Sequence, residues 1–353
     1  MPPQSASPTA QTVPPAVRVH VLGAGPVGLF ITALLQPTAG FSICLYEKRP
    51  DYTRTRMVQL APYLVADSIE SYSADYIDGE SVGAIFDPAE LEGGLAFRQS
   101  IPPDLMGLLR GWTLGFCPLN EIERSLSKLI DARQANPVQR SVTVVTVPQL
   151  TAMLQPGDVV IDCTGTKSVT RDLLMPGAGA PDGAANTFKL RLEYALVVTF
   201  LFDHTYDCQE YCKYYKNIEN PNYKFIPAVN RTYYDGQLTH VTGIVSITAD
   251  DYEGMPSRFD GQWLRVNFPQ IAQAMDRFIT KVKTETNGTL ASDLEIVRIP
   301  LDLYRARNAT SRQLLRAGTD DNSLARSPVF LVGDSAMGSP YFQSISLGFE
   351  CAM

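Results

Sequence analysis

Residues 17–47 read VRVHVLGAGPVGLFITALLQPTAGFSICLYE. The apolar run from Val17 to Leu22 predicts a buried strand. It ends at Gly23-Ala24-Gly25-Pro26-Val27-Gly28, after which Phe30, Ile31, Leu34 and Leu35 recur at helical spacing. Phe41 to Tyr46 predicts a second strand, closed by the acid Glu47.

Each glycine has a physical reason. Gly23 suits the tight turn out of the strand, Gly25 lets backbone approach a pyrophosphate, and Gly28 lets the helix pack closely on the sheet. The helix start offers unpaired N–H groups and the positive end of its dipole to phosphates. Glu47 stands 19 residues beyond Gly28, where a carboxylate accepts hydrogen bonds from a ribose. The order strand, glycines, helix, strand, acid predicts dinucleotide binding by Gly23, Gly25, Pro26, Val27, Gly28 and Glu47. Lys48, Arg49, Arg54 and Arg56 follow directly and are candidate phosphate or flavin contacts, against the plainer reading of a solvated loop.

With 353 residues, the chain can bury a large core and divide into two domains. Hydrophobic content of 45% and charged content of 19% are ordinary for a globular protein. A net charge of −7 speaks against nucleic-acid or anionic-membrane surfaces. Residues 1–16, rich in Pro, Ser, Thr and Ala, predict a disordered tail without a signal peptide. No run approaches the ~18 apolar residues of a membrane span, so a cytoplasmic protein is expected. The scattered cysteines suit reduced thiols. Cys208 and Cys212 lack a second ligand pair, so no metal site is expected.

Further along, Leu64, Val65 and Ile69 suggest a helix, Leu95 to Arg98 a strand-like piece, and Leu119 to Ile130 a helix. Ser141 to Val147 is a β-branched run. Val159 to Cys163 predicts a buried strand that breaks at Thr164-Gly165, a second place for backbone to approach a cofactor. Residues 175–187 have linker composition. A tyrosine-rich stretch runs from Tyr206 to Tyr234, with Leu238 to Thr248 as a return strand. Such a sheet walls an apolar pocket or is merely half-exposed. Trp263 to Thr284 predicts a helix, Glu295 to Arg307 a strand, and Ser327 to Asp334 a buried strand ending in Gly-Asp.

VLGAGPVGL at 21–29, GDVVIDCTGTKSVTR at 157–171 and VFLVGDSAMGSPYFQSISLG at 329–348 occur in the order seen in FAD-dependent aromatic hydroxylases. The chain thus resembles the flavoprotein monooxygenases of the p-hydroxybenzoate hydroxylase type. The block YEKRPDYTRTRMVQLAP at 46–62 is also similar to the monooxygenase domain of the MICAL proteins. The resemblance implies an α/β fold: a Rossmann-like, glutathione-reductase-type FAD-binding domain over 17–80, 115–175 and 295–353. Residues 81–114 and 176–294 would form an inserted antiparallel-sheet substrate domain.

In that family, Gly23, Gly25, Gly28 and Glu47 hold the ADP half of FAD. Arg56 matches an arginine near the flavin or its pyrophosphate, and Arg124 one at a helix start facing the cofactor. Gly333-Asp334 matches the pair whose carboxylate bonds the ribityl chain. Pro340 matches the proline beside the isoalloxazine, and Leu347-Gly348 a helix start facing the pyrimidine end. The implied activity is an FAD monooxygenase reduced by NADPH or NADH, taking O2 and an aromatic or apolar small molecule in a biosynthetic tailoring step. Tyr304, with Arg305 and Arg307, is a candidate for orienting substrate, against ordinary strand packing.

The sequence departs from the family at Thr164, where an aspartate is usual, at Met337 in place of a histidine, and across Gln343–Ser346 in place of Gly-x-x-Gly. These keep two alternatives open: a reductase or dehydrogenase of the same fold, and a non-catalytic flavoprotein-fold subunit. The halogenase motif W-x-W-x-I-P is absent. The chain stops inside an apparent helix, which leaves a homodimer or a pathway partner open.

Overall fold

The computed structural model describes residues 17–54, 57–58, 60–68, 95–115, 117–155, 157–174, 187–203, 223, 225–233, 238–311, 327–338 and 343–353. The tail at 1–16, Arg56, Ile69, the composition-defined linker before Thr187, most of the tyrosine-rich stretch and Pro340 lie outside them.

Strand β1 (Val17–Leu22), helix α1 (Pro26–Leu35) and strand β2 (Phe41–Glu47) form the expected unit, with β1 and β2 parallel from Val17↔Phe41 to Leu22↔Tyr46. A two-residue pair, β3 (Met57–Val58) and β4 (Cys117–Pro118), brackets a 3-10 turn (Pro62–Val65), helix α2 (Pro103–Thr113) and a helical turn at 95–99. Helix α3 (Leu119–Ala132), strand β5 (Gln139–Val142), helix α4 (Val147–Met153), strand β6 (Val159–Asp162) and helix α5 (Val169–Leu174) follow.

The chain then builds a second sheet from β7 (Thr187–Phe202), β8 (Phe225–Tyr233) and β9 (Leu238–Ile247). After helix α6 (Ala249–Glu253) come β10 (Arg258–Asp260), helices α7 (Gly261–Asn267) and α8 (Pro269–Thr286), and β11 (Glu295–Ala306). It returns to the first sheet with β12 (Thr310–Ser311) and β13 (Val329–Leu331). The short β14 (Met337–Gly338) and helix α9 (Gln343–Ala352) complete the described elements. The first sheet has the order β12-β13-β6-β1-β2-β5, parallel except for β12; the second is antiparallel, β10-β11-β7-β9-β8. The α/β fold with a parallel and an antiparallel sheet is therefore the one expected from the sequence.

Several elements differ from expectation, each for a physical reason. Leu95 to Arg98 is helical, not strand-like, and Leu95 is buried. The Ser141–Val147 run stops as a strand at Val142 because β5 is an edge strand whose residues are exposed. Thr146 then caps α4 in a reciprocal capping box with Gln149. The helix expected over Trp263–Thr284 is two helices. Pro269 lacks the N–H needed to continue a helix and disfavours helical backbone at Phe268, which sits at φ −136°, ψ 64°. The strand expected over Ser327–Asp334 ends at Leu331, and Gly333–Ser335 forms a 3-10 turn.

The two largest apolar clusters among the described residues hold the sheets. Leu29 and Phe30 of α1 pack with Ile43, Leu64, Leu105, Ile122 and Phe349, and the Phe30 and Phe349 rings stack with centroids 4.4 Å apart. In the second, Phe200, Phe225 and Phe278 cluster between the antiparallel sheet and α8. Strand β11 pairs with β7 along its length and with β14 through Tyr304↔Gly338, and the chain passes from its end back to the first sheet at β12. Among the described residues, no helix is long and apolar enough to cross a membrane, and no group of three or more His, Cys, Asp or Glu side chains is arranged to hold a metal.

One polar cluster is buried in the parallel sheet. His20 lies 3.0 Å from the Tyr46 hydroxyl through Nδ1 and 3.2 Å from Asp158 Oδ2 through Nε2. Burial lowers the His20 pKa more than Asp158 raises it, and burial pushes Tyr46 up to about 12. The folded state thus binds His20's proton less readily than the unfolded chain does.

Two outcomes follow. Phe349→Ala should cost about 3–5 kcal/mol in denaturant unfolding, the usual penalty for an excavated aromatic site. Stability should fall as pH drops below about 6.5, where the unfolded histidine gains its proton first, and level off below the folded pKa. Urea midpoints of His20→Gln should show a shallower pH slope over that window than the parent protein; equal slopes would contradict the assignment.

Candidate functional site

The site begins where β1 ends. Gly23 has φ +90°, a left-handed conformation, and a Cβ there would sit 2.7 Å from the Cys163 carbonyl oxygen. At Gly28 a Cβ would lie 1.8 Å from the Gly23 carbonyl oxygen, so the first turn of α1 rests directly on the loop backbone. Gly25 is the N-cap residue of α1 and offers no side chain to its first-turn N–H groups. Those groups have no intrahelical acceptor and, with the dipole, form a cradle for an anion. Pro26 occupies N1, where a missing N–H costs nothing.

The loop is anchored by Glu47. Its Oε2 accepts the Ala24 N–H at 2.9 Å, and its Oε1 accepts the Arg49 backbone N–H and Nε, both at 3.1 Å. Burial would raise the Glu47 pKa, but the bonds from Arg49 and Ala24 hold it below the usual carboxylate value. Glu47 in turn holds Arg49 above the ordinary arginine value. Lys48 is exposed. Arg54 reaches the loop itself: a Cβ on Gly25 would lie 3.5 Å from its Nη2, and the same atom contacts Glu123 Oε1 of α3. Arg124, the next residue, is exposed in the second turn of α3 and donates to the Tyr52 carbonyl at 3.0 Å. It is not at the helix start, and Glu123 is the residue facing the loop arginines.

Two further turns emerge at the same level. The parallel register aligns Leu22 with Asp162 and Leu331 with Asp162, so the strands β1, β6 and β13 release their following turns side by side. After β6, the buried Asp162 carboxylate accepts the Thr164 N–H (2.7 Å) and hydroxyl (2.6 Å), the Ser168 hydroxyl (2.5 Å) and the Thr170 hydroxyl. Gly165 has φ +88° with open space around it. After β13, the Ser335 hydroxyl donates to the Asp162 carbonyl, and buried Arg171 donates to the Ser335 carbonyl at 3.2 Å and the Thr166 carbonyl at 2.8 Å. The second and third turns are thereby bonded together.

Val27 closes the arrangement. A Cβ on Gly333 would meet its methyl groups at 3.1 Å, and one on Gly348 would meet them at 2.6 Å. Leu347 and Gly348 lie in the second turn of α9, not at its start. Gly348 therefore brings α9 against Val27, while the helix begins at Gln343. Tyr304 is half-buried with its ring against Gly338, its hydroxyl donating to the Asp334 carbonyl and the Arg171 guanidinium 5.9 Å from its ring centre. Burial, with Asp334 nearby, pushes its pKa well up. Its hydroxyl is already engaged in holding the Gly-Asp turn. Arg305 and Arg307 are exposed.

The structure thus brings Gly23, Gly25, Pro26, Val27, Gly28, Glu47, Arg49, Thr164, Gly165, Gly333, Asp334 and Gly348 to one edge of the parallel sheet. Lys48, Arg124 and Leu347 are less directly placed, and Arg56 and Pro340 lie outside the described residues. Among the described residues, Arg54 is the one of the candidate basic residues whose guanidinium reaches Gly25, whereas Asp162, Arg171 and Glu123 were not among the expected site residues. Glu123 carried a signal: it falls on the same helical face as Leu119, Ile122, Leu126 and Ile130, all buried. A cavity of about 920 Å³ bordered by Gln36, Phe41, Pro103 and Arg133 lies at the opposite end of α1.

The cradle fits an adenine dinucleotide such as FAD, because Gly23 and Gly28 exclude side chains from the loop and Arg54 adds a cation over Gly25. No protein-family model matches this sequence, and no curated protein matches it. Among solved structures, the fold is similar to that of the Diels-Alderase PyrE3 of pyrroindomycin biosynthesis, at 14% identity and TM-score 0.45, covering 95% of this chain. The chain spans 63% of the length of PyrE3. It is also similar to CtdE in complex with FAD (12% identity, TM-score 0.47, covering 94% of this chain and 82% of that one). A third is p-nitrophenol 4-monooxygenase PnpA from Pseudomonas putida DLL-E4 (12% identity, TM-score 0.45, covering 95% and 77%).

The glycines should separate by mechanism. Gly165→Ala adds only left-handed backbone strain, about 1–2 kcal/mol. Gly28→Ala forces the helix off the loop and should cost more. Denaturant unfolding of both variants checks the order; equal costs would mean that α1 shifts freely.

Proposed function

We propose that the chain binds FAD along the β1, β6 and β13 turns and acts as a monooxygenase on an aromatic or apolar small molecule. The observation carrying this reading is the convergence of three turns beside the uncapped start of α1, with the third packed on Val27 of the first. A ligand longer than a mononucleotide is what such an arrangement suits. The discontinuous domain division expected above belongs to this proposal, with the antiparallel sheet as the substrate side, except that α2, which that division gave to the substrate domain, packs in the core of the parallel sheet.

FAD, when bound, supplies the electron transfer and oxygen activation. The remaining work falls to the chain's own groups. The first-turn N–H groups of α1 and the Arg54 guanidinium bind the diphosphate. Glu47, kept ionised by its hydrogen bonds, accepts from the adenosine ribose. Asp334 is assigned to the ribityl chain, and Tyr304 fixes the backbone carbonyl of that residue. Arg171 and Asp162 keep the two later turns rigid, which orients the cofactor. NADPH or NADH is the proposed reductant and O2 the oxidant.

A reductase or dehydrogenase is the second reading, favoured by one observation. Thr164 turns its hydroxyl inward onto Asp162, so no carboxylate is presented at this position.

Purified protein should bind FAD, with the yellow absorbance retained through gel filtration, and Arg54→Ala should weaken binding about tenfold, the effect of one charge-assisted hydrogen bond. Label from 18-O2 should enter product when NADH or NADPH and a panel of phenols and apolar aromatics are supplied. Protein that never takes up flavin would overturn the proposal; flavin reduced with product free of label would leave the reductase reading.

A further inference from the structure

The carboxyl of Glu123 is wholly enclosed, at 0% side-chain exposure, on a helix face otherwise made of Leu and Ile. One oxygen, Oε1, contacts Nη2 of Arg54 and lies 3.9 Å from Nη2 of Arg49. The other, Oε2, has no hydrogen-bond partner among the described residues. A buried carboxyl with an unsatisfied oxygen is a liability for stability, and an apolar side chain of the same size would pack there without it. Something other than packing therefore accounts for the group.

Arg54 supplies the reason. It comes from an irregular segment without helix or strand, is 40% exposed on its side chain, and still ends directly over Gly25. A long side chain on such a segment samples many rotamers unless something holds its far end. Glu123 is the group in contact with that end. Arginine carries five donors in a rigid fork, so the contact with Glu123 leaves donors over for a ligand on the loop, and the buried Nε of Arg54 has no hydrogen-bond partner among the described residues.

We propose that Glu123 is a positioning residue, whose carboxyl oxygen holds the Arg54 guanidinium over Gly25 for the diphosphate of an adenine dinucleotide. This rests on the FAD reading of the same loop. The role asks for an acceptor oxygen, not for a full negative charge. Burial pushes the Glu123 pKa up against the pull of Arg54 and Arg49, and a carbonyl-type oxygen is present in either protonation state.

The test is a double-mutant cycle on the full chain, with ADP as the probe and isothermal titration calorimetry as the readout. Glu123→Met keeps the volume and removes the acceptor. It should weaken ADP binding about three- to tenfold, the cost of immobilising one rotamer-rich side chain at binding, while Glu123→Gln stays within about twofold of the parent. In an Arg54→Ala background, Glu123→Met should add nothing. Unchanged ADP affinity in Glu123→Met, or a loss that persists without Arg54, would overturn the proposal, whatever happens to the melting temperature. If Glu123→Met fails to fold, Glu123→Asp, which withdraws the carboxyl from Arg54, should give the same loss and the same dependence on Arg54. A parent protein that binds ADP with this coupling but not FAD would overturn the flavin reading and keep the positioning role. One that binds FAD with a silent cycle would do the reverse, and one that binds neither nucleotide would overturn both.

Discussion

No side chain fits between the Gly23 carbonyl and the first turn of α1, and the rest of the fold is arranged around that contact. A Cβ at Gly28 would stand 1.8 Å from the Gly23 oxygen, closer than any non-bonded pair tolerates. The contact lets α1 leave β1 at once and lie on the sheet, with Phe30 and Leu29 sealed beneath it. Gly23 itself packs on the backbone of Cys163, so the first turn is seated on the second. Through Val27, the same helix start touches Gly333 and Gly348. Close packing of this kind transmits position because protein interiors have few voids to absorb a shift.

Polar bonds reinforce what packing begins. Asp162 stands at the register position shared by β1, β6 and β13, and it serves both neighbours: its carboxylate binds the 164–170 turn, its carbonyl the Ser335 hydroxyl and the Val332 N–H. Arg171 adds a buried cation whose donors end on backbone carbonyls of both turns. On the other side, Glu47, Arg49, Glu123 and Arg54 alternate in sign around the loop. Partly buried charges of this kind are expensive singly and tolerable only as a paired set. The site is consequently stiff in its backbone, with Arg54 the partly exposed cation lying over Gly25.

The first unit was fully legible because its signals are local. The strand, the glycines and the helix each follow from residues within a few positions of one another, and Glu47 follows from a fixed spacing. The turns at Thr164-Gly165 and Gly333-Asp334 were legible as turns, and the resemblance suggested that they belong with the first. Pro269 falls inside the apolar periodicity that predicts one helix over Trp263–Thr284, and its missing N–H divides that stretch into two helices. Leu347 and Gly348 were placed at a helix start by analogy, whereas the helix begins at Gln343. Tyr304 was read as a candidate for substrate contact, yet its hydroxyl closes a bond thirty residues away in sequence.

The sequence by itself determined the alternation of elements, the βαβ unit and the identity of the three glycine turns, because period, turn chemistry and spacing are properties of short segments. Only the tertiary structure decided which of the basic residues reaches the loop, that Glu123 stands behind Arg54, and that Asp162 and Arg171 bind two turns into one. Those pairings join residues about 70 to 170 positions apart. Chain separation carries no signal of direction for a side chain, and it is the register of parallel strands and the facing of α3 that bring these groups within hydrogen-bond reach.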